Sequence, residues 1–230
     1  MKRILITGAS RGIGRAIAEK LADAETTLLL HGRDETALAE THASATAKQA
    51  SAVNLLFDLQ DPAQITAMTE TIGPEPLDVL IHNAGIAVVK PFADIALEEW
   101  LATLATNVTA PFLLTQKLAP QMPPGSSIVN VLSIAAKTGF PGWSAYCMSK
   151  FALEGFSQSL REELRPRGIR VINIYPGATA TEIWDSAAGD WPRDKMMAPN
   201  EVAEAVSFAL FRPANVAIEN LTVTNAAGAL

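Results

Sequence analysis

The sequence has a single cysteine, Cys147, and only three histidines. One cysteine cannot form a disulfide within the chain, and His31, His42 and His82 do not have the spacing of metal ligands. We therefore expect no bound metal. The chemistry then has to come from a cofactor or from serine, tyrosine, lysine and carboxylate side chains.

Long apolar runs and basic stripes are also missing. No stretch approaches the roughly 20 apolar residues needed to span a bilayer, and the apolar run after Lys2 and Arg3 is too short for the core of a signal peptide. The 18 basic residues are scattered and outnumbered by 24 acidic ones, which leaves no surface suited to nucleic acid. We expect a cytoplasmic protein that binds neither membranes nor nucleic acids.

The chain alternates short apolar runs with longer helical patterns, and its 230 residues suffice for one large α/β domain. Strands separated by helices cannot form hairpins, so each connection is a crossover and the sheet should be parallel. We predict a single domain over residues 1–230: a doubly wound (Rossmann) α/β fold of about seven parallel strands with helices on both faces. The predicted strands are 3–7, 27–31, 53–58, 78–82, 127–132, 169–175 and 220–224.

A glycine-rich turn, TGASRGIG, follows the first strand at residues 7–14 and leads into a helical pattern. Gly8 permits a tight turn, Gly12 lets the backbone approach a pyrophosphate, and Gly14 lets the helix pack closely on the strand. Ordinary turn chemistry is the alternative. The position directly after the first strand favours dinucleotide binding.

The same letters, GASRG at residues 8–12, match the G-x-S-x-G turn that carries the nucleophile of serine hydrolases. In that class the catalytic histidine comes last in the chain, whereas the last histidine here is His82. Only seven residues precede Gly8, which leaves no earlier loop for the second oxyanion donor. We expect the hydrolase interpretation to be wrong.

Tyr146 and Lys150 are four positions apart in a helical pattern over residues 143–164, so their side chains share a face. A free tyrosine has a pKa near 10 and is a poor base at neutral pH. We expect the ammonium of Lys150 to lower the pKa of Tyr146. Ser133 follows the fifth strand, at the edge where parallel sheets bind ligands, and its hydroxyl can bind a substrate oxygen.

These features form an ordered set that resembles the classical short-chain dehydrogenase/reductase family over essentially the whole chain. The resemblance implies hydride transfer between a nicotinamide cofactor and the carbonyl or hydroxyl carbon of a small organic substrate. The motifs that carry it are T-G-x-x-x-G-x-G at 7–14, NAG at 83–85, TNV at 106–108, Ser133, YCMSK at 146–150 and PG at 176–177.

The resemblance also implies individual roles. Tyr146 exchanges a proton with the substrate oxygen, Lys150 also holds the nicotinamide ribose, and Asn107 holds a water that relays protons to Lys150. The catalytic residues are then Asn107, Ser133, Tyr146 and Lys150. The cofactor-binding residues are Gly8, Ser10, Arg11, Gly12, Ile13, Gly14, Arg33, Asp58, Leu59, Asn83, Ala84, Gly85, Tyr146, Lys150, Pro176, Gly177, Thr179 and Thr181.

Some of these positions also have a purely structural interpretation. Residues 83–85 suit an ordinary turn, and Asp58 suits a helix cap.

The residues at the end of the second strand indicate which cofactor is bound. Gly32 stands where an acid that binds the ribose 2'-hydroxyl is expected, and Arg33 follows it. Asp34 fits an N-cap of the next helix. We therefore expect NADP(H) and regard NAD as the less favoured cofactor.

The segment 177–199 is long for a structureless loop, and we predict that it binds the substrate. Its apolar residues, Ile183, Trp184, Trp191, Met196 and Met197, suit either closure over an apolar substrate or packing on the core. Ketones, aldehydes, 3-oxoacyl thioesters, sugars and pterins all remain open.

A non-catalytic nucleotide sensor on the same fold is the alternative function. The resemblance also implies a homodimer or homotetramer that associates through helices at 97–118 and 143–164. The C-terminal end lacks the D-G-G turn of many members, which leaves the oligomeric state open.

Overall fold

The predicted fold is confirmed in a computed structural model, which describes residues 1–186, 191–213 and 215–228. Seven strands form one sheet in the order β3-β2-β1-β4-β5-β6-β7, and every neighbouring pair is parallel. The order reverses between β1 and β4, which is where doubly wound sheets open a crevice. The strands are β1 (Lys2–Ile6), β2 (Thr26–Gly32), β3 (Ser51–Leu56), β4 (Val79–His82), β5 (Ser127–Val131), β6 (Arg170–Pro176) and β7 (Asn220–Val223).

Helices cover both faces of the sheet because alternate strand residues point to opposite sides. Ile4 and Ile6 pack in one buried cluster with residues of α1, α2 and α7, whereas Leu5 between them packs with residues of α3, α5 and α6. The helices are α1 (Gly12–Leu21), α2 (Glu35–Thr46), α3 (Pro62–Ile72), α4 (Leu97–Leu104), α5 (Ala110–Leu118), α6 (Ser144–Leu164) and α7 (Pro199–Leu210).

The prediction of one continuous helix over 97–118 is wrong. A π-helical turn, Ala105–Thr109, separates α4 from α5. Pro111 lies at the start of α5 and has no N–H for the carbonyl of Asn107 four residues earlier. The Asn107 side chain is meanwhile held by the backbone of Ile86. The missing N–H of Pro111 and the binding of the Asn107 side chain to Ile86 together account for a turn at Asn107 that is wider than an α-helical turn.

The loop predicted at 177–199 contains two short 3-10 turns, Glu182–Ser186 and Arg193–Lys195. Residues 187–190 of this loop, like residues 214, 229 and 230 of the predicted domain, lie outside the described residues. Met196 and Met197 are 8% and 4% exposed, and Met197 packs in the core cluster of α1 and α7. For these two residues the core-packing interpretation is the correct one.

Helix α6 is attached to the end of the sheet by buried polar contacts. The Arg161 side chain donates to the Val171 carbonyl at 3.1 Å and to the Glu219 carbonyl at 3.0 Å. Asn173 on β6 donates to the Ser157 hydroxyl at 2.7 Å and accepts from Asn130 on β5 at 3.0 Å. Because buried polar groups lose free energy when unpaired, these contacts fix the position of α6 over β5 and β6.

The buried His82 on β4 makes the stability of the fold depend on pH. Burial lowers the pKa of His82 to about 3 from its usual 6.5, and its Nε2 lies 2.9 Å from the Thr115 hydroxyl. Between pH 6.5 and pH 3 the unfolded chain therefore binds a proton that the folded chain does not, so stability is lost as the pH falls through this window.

We predict that wild type loses about 2 kcal/mol more unfolding free energy between pH 7 and pH 5 than His82→Gln, whose amide does not titrate. Urea unfolding of both proteins at the two pH values measures this difference. Gln60→Asn, at an exposed position whose side chain does not titrate, serves as the control and should lose as much stability as wild type. Equal losses in wild type and His82→Gln would contradict the prediction.

Candidate functional site

The glycine turn after β1 has no space for side chains. A Cβ on Gly14 would lie 2.0 Å from the Gly8 carbonyl oxygen, and a Cβ on Gly8 would lie 2.9 Å from the Ala84 Cα. Gly8 and Gly12 also have positive φ angles, 67° and 55°, which favour glycine. Helix α1 is thus packed directly on the end of β1, as predicted for Gly14.

Side chains tie this turn to the end of β4. The Thr7 hydroxyl accepts the backbone N–H groups of Asn83 and Ala84 at 3.0 and 3.1 Å. The Asn83 amide in turn donates to the carbonyls of Thr7 and Gly8, both at 3.0 Å. Asn83 therefore holds the glycine turn in place, a role that its sequence position alone did not indicate.

His31, near the end of β2, supports the same turn. Its Nδ1 accepts the Gly8 N–H at 3.3 Å, and its Nε2 lies 3.0 Å from the Phe57 carbonyl. The pKa of His31 is lowered to about 4 by burial, so the ring is neutral at pH 7 and donates from Nε2. From the sequence, His31 was weighed only as a metal ligand. The signal for its supporting role is one polar residue inside the apolar strand LLLHG.

A cavity of about 690 Å³ lies along the carboxyl ends of β1 to β4; we call it the glycine-turn cavity. Its lining includes Thr106, Glu182 and Asp185, which were not predicted. Twelve of the predicted cofactor residues line it: Gly8, Ser10, Arg11, Gly12, Ile13, Arg33, Asp58, Leu59, Asn83, Ala84, Gly85 and Thr181.

The charges in this cavity suit an anion at one end. Helix α1 begins there, with no acidic residue in its first turn and no side-chain hydrogen bond from Arg11 at its N-cap, so its first N–H groups carry positive dipole charge without a side-chain acceptor. Arg33 is half exposed and forms an ion pair with Asp58 at 3.8 Å. Asp34 caps α2 by accepting the Ala37 N–H, as predicted, and Asp61 rather than Asp58 caps α3.

A second cavity of about 310 Å³ adjoins the first; we call it the tyrosine cavity. The two share Ile13, Asn83, Gly85, Thr181 and Ile183. Of the predicted residues, Ser133, Tyr146, Lys150, Pro176, Gly177 and Thr179 also line it. Ser133, Tyr146 and Lys150 are thus brought together at the ends of β5 and β6.

Tyr146 is partly buried and hydrogen-bonded to Ser133. Burial raises the pKa of Tyr146 to about 12, and the Ser133 hydrogen bond lowers it only in part. The expectation that Lys150 lowers this pKa is wrong for the described structure. Lys150 Nζ lies 5.6 Å from the centre of the tyrosine ring and donates to the Val131 carbonyl at 2.9 Å, while its own pKa is lowered to about 8 by burial.

Asn107 and Gly14 are the two predicted site residues that line neither cavity. The Asn107 side chain donates to the Ile86 carbonyl and the Ser149 hydroxyl and accepts the Ile86 N–H, all at 2.9 Å. Both donor hydrogens of its amide are therefore used within the protein. A water beside Asn107 can therefore only donate to it, either to the second lone pair of Oδ1 or to the backbone carbonyl, which the missing N–H of Pro111 leaves without its usual helical partner.

Among the residues that the structure describes, no group of three or more histidine, cysteine, aspartate or glutamate side chains could hold a metal ion. Over the same residues, none of the helices has the length and apolar character needed to cross a membrane.

Comparison with known proteins places this arrangement in a family. Sepiapterin reductase from Chlorobaculum tepidum is 32% identical over 99% of this chain and 98% of that protein. An alcohol dehydrogenase from Thermococcus sibiricus, complexed with 5-hydroxy-NADP, has a TM-score of 0.89 at 25% identity over 99% and 98% of the two chains. A short chain dehydrogenase from Burkholderia cenocepacia, in complex with NADP, has a TM-score of 0.86 at 31% identity over 97% and 96%.

The family model of the short chain dehydrogenases matches residues 2–190, which is more than half of the chain. The glycine turn, strands β1 to β6 and the Ser133, Tyr146 and Lys150 grouping all lie within that match. This chain therefore belongs to the short chain dehydrogenase family of oxidoreductases.

Proposed function

We propose that the chain transfers a hydride between NADP(H) and the carbonyl or hydroxyl carbon of a small organic substrate, with Tyr146 as the acid and base. The observation that carries this proposal is that the glycine-turn cavity and the tyrosine cavity adjoin at Ile13, Asn83 and Gly85. A dinucleotide in the first cavity would reach the second, where Tyr146 lies. The relatives complexed with NADP and 5-hydroxy-NADP support the choice of cofactor.

The residues fit such a dinucleotide. The N-terminus of α1 offers N–H groups to a pyrophosphate, and the close packing of Gly8 and Gly14 keeps the turn free of side chains. Arg33 and Arg11 both line the cavity, and guanidinium groups bind phosphate through paired hydrogen bonds. The carboxylate nearest to Arg33 in sequence, Asp34, is occupied as the cap of α2.

NADPH, when bound, would supply the hydride for a carbonyl carbon. Tyr146 supplies the proton for the carbonyl oxygen, so that C=O becomes CH–OH. With its pKa raised to about 12, the phenol is protonated at neutral pH and is able to donate. Ser133, hydrogen-bonded to Tyr146, is placed to hold the same oxygen, and Lys150 provides a buried positive charge behind the developing tyrosinate.

The alternative of a non-catalytic sensor has no support from the site. A sensor has no need of the polar groups beyond the nucleotide, yet Ser133, Tyr146 and Lys150 are grouped in the tyrosine cavity. We further propose that the loop 177–199 binds the substrate, because Thr179, Ile183, Trp184 and Trp191 line this cavity.

We also propose that the chain forms a homo-oligomer through α4, α5 and α6. Leu97 and Leu101, one turn apart on α4, are 64% and 52% exposed, and Phe112 on α5 and Phe151 on α6 are 44% and 46% exposed. Helix α4 packs against α6, and Phe112 contacts Phe156 of α6, so these exposed side chains lie on neighbouring helices, whose outer surface we propose as one apolar face. A second copy fits this face because a two-fold axis brings identical helices together.

We predict that Tyr146→Phe lowers kcat for ketone reduction at least about 10²-fold, because the ring stays in place while the transferable proton is lost. The dissociation constant of NADPH, measured by fluorescence, should stay within about twofold of wild type. Turnover above half of the wild-type value would overturn the role of Tyr146.

We predict that Arg33→Ala weakens NADPH about tenfold and leaves NADH nearly unchanged, since the half-exposed guanidinium contributes one charge-assisted contact to the 2'-phosphate. The ratio of kcat/KM for the two cofactors, in wild type and variant, measures this. Arg212→Ala is the matched control, because Arg212 lines neither cavity. A wild-type preference for NADH, or an equal loss for both cofactors, would show that the phosphate site is misplaced.

We predict a dimer or tetramer at micromolar concentration in sedimentation experiments. Glutamate on the apolar face, as in Leu101→Glu with Phe151→Glu, should shift the protein toward the monomer, because the charges would be buried in the interface. Val53→Glu, at an exposed apolar position on β3, should leave association unchanged. A monomeric wild type would contradict the proposal.

A further inference from the structure

Three of the four tryptophans of the chain line one side of the tyrosine cavity. The ring centres of Trp143 and Trp184 are 5.3 Å apart, those of Trp184 and Trp191 are 4.9 Å apart, and those of Trp143 and Trp191 are 6.1 Å apart. The Trp143 ring also meets the Tyr146 ring at 5.6 Å and 68°. These indoles form an aromatic wall that begins beside the Tyr146 ring.

The rest of the tyrosine cavity offers little to a charged or strongly polar ligand. Lys150 is the single charged residue among its described lining residues, and its Nζ already donates to the Val131 carbonyl. The Thr179 hydroxyl donates to the Gly177 carbonyl at 3.0 Å. The indole wall itself carries no charged group, so phosphopantetheine, sulfonate and carboxylate groups find no counter-charge on it.

The wall also distinguishes aromatic rings from saturated ones. Aromatic rings pack edge to face because their faces are negative and their edges positive, which a saturated ring of the same size does not reproduce. The indole N–H of Trp184 donates to the Thr179 carbonyl at 2.8 Å. The buried indole N–H of Trp191 makes no hydrogen bond within the described residues, and an aromatic face is an acceptor for such a group.

The volume of the tyrosine cavity limits the size of the ligand that it can hold. A cavity of about 150 Å³ holds one benzene molecule, and the tyrosine cavity measures about 310 Å³. Part of that space adjoins the glycine turn at Ile13 and Asn83, where the proposed nicotinamide ring would lie. Space for about one further ring remains next to the indoles.

We propose that the substrate is an uncharged carbonyl compound with a single aromatic ring, or the matching alcohol, and that Trp191 and Trp184 select it by contact with that ring. This rests on the proposed function, because the carbonyl has to face Tyr146 while the ring lies on the indole wall. Trp143 packs against the Tyr146 ring and so joins the wall to the reacting group.

The test compares 1-phenylpropan-2-one with 1-cyclohexylpropan-2-one, two ketones with equal carbon skeletons whose carbonyl groups are not conjugated with the ring. Their kcat/KM values with NADPH are measured in wild type, Trp191→Leu and Trp191→Phe. Their dissociation constants are measured by calorimetry in the presence of NADP. The ratio between the ketones cancels any general effect of a variant on folding or on the rate of hydride transfer.

We expect the phenyl compound to be preferred in wild type. The preference should fall about three- to tenfold in Trp191→Leu, the range that one aromatic contact supplies, and stay within about twofold in Trp191→Phe, which keeps a ring. A 4-carboxyphenyl analogue should bind at least about tenfold more weakly than the phenyl compound.

Other outcomes separate this inference from the proposed function. If both ketones are reduced with equal kcat/KM, or the preference is unchanged in Trp191→Leu, the inference is wrong and the proposed function stands. If the phenyl compound binds preferentially and loses that preference in Trp191→Leu but is never reduced, the aromatic site is supported and the proposed function is wrong. If neither ketone binds or is reduced, the aromatic site is overturned.

Discussion

The close contact between Gly14 and the carbonyl of Gly8 is the constraint on which the site depends. A single methyl group at position 14 would meet that oxygen at 2.0 Å, so α1 can begin directly over the end of β1 only with glycine there. Asn83 then reaches the carbonyls of Thr7 and Gly8 from β4, and His31 reaches the Gly8 N–H from β2. Three neighbouring strands thus end at one rigid turn, which leaves an open cavity in front of it.

The two ionisable groups of the tyrosine cavity are shifted toward their neutral forms. Burial raises the pKa of Tyr146 to about 12 and lowers that of Lys150 to about 8. A protonated phenol can donate a proton, which is what the proposed reduction of a carbonyl requires. Removing a proton from an alcohol first requires a stronger positive field at Tyr146, and the closest protein source of that field is Lys150.

Features set by the backbone, and local side-chain features such as the Asp34 cap, were predictable from the sequence, whereas features that depend on contacts between distant side chains mostly were not. Seven apolar runs separated by helical patterns predicted every strand within about two residues, and glycine spacing predicted the turn and the packing role of Gly14. The π-helical turn escaped prediction because its causes, the Asn107 amide on Ile86 and the proline at position 111, act through space and through a missing N–H. The direction of the Tyr146 pKa shift was mispredicted because burial, which a sequence does not display, outweighs the charge four residues away.

The difference between backbone features and contacts between distant side chains also explains why the reaction class is easier to infer from the sequence than the substrate. The proposed cofactor half is built largely from backbone at the ends of β1 to β4, where glycines leave a recognisable spacing. The substrate half is built from Trp143, Trp184 and Trp191, which come from two loops and meet only after folding. In the sequence, Trp184 and Trp191 belong to one apolar group with Met196 and Met197. Folding separates them, because both methionines are buried, Met197 in the core cluster, whereas both indoles line the tyrosine cavity.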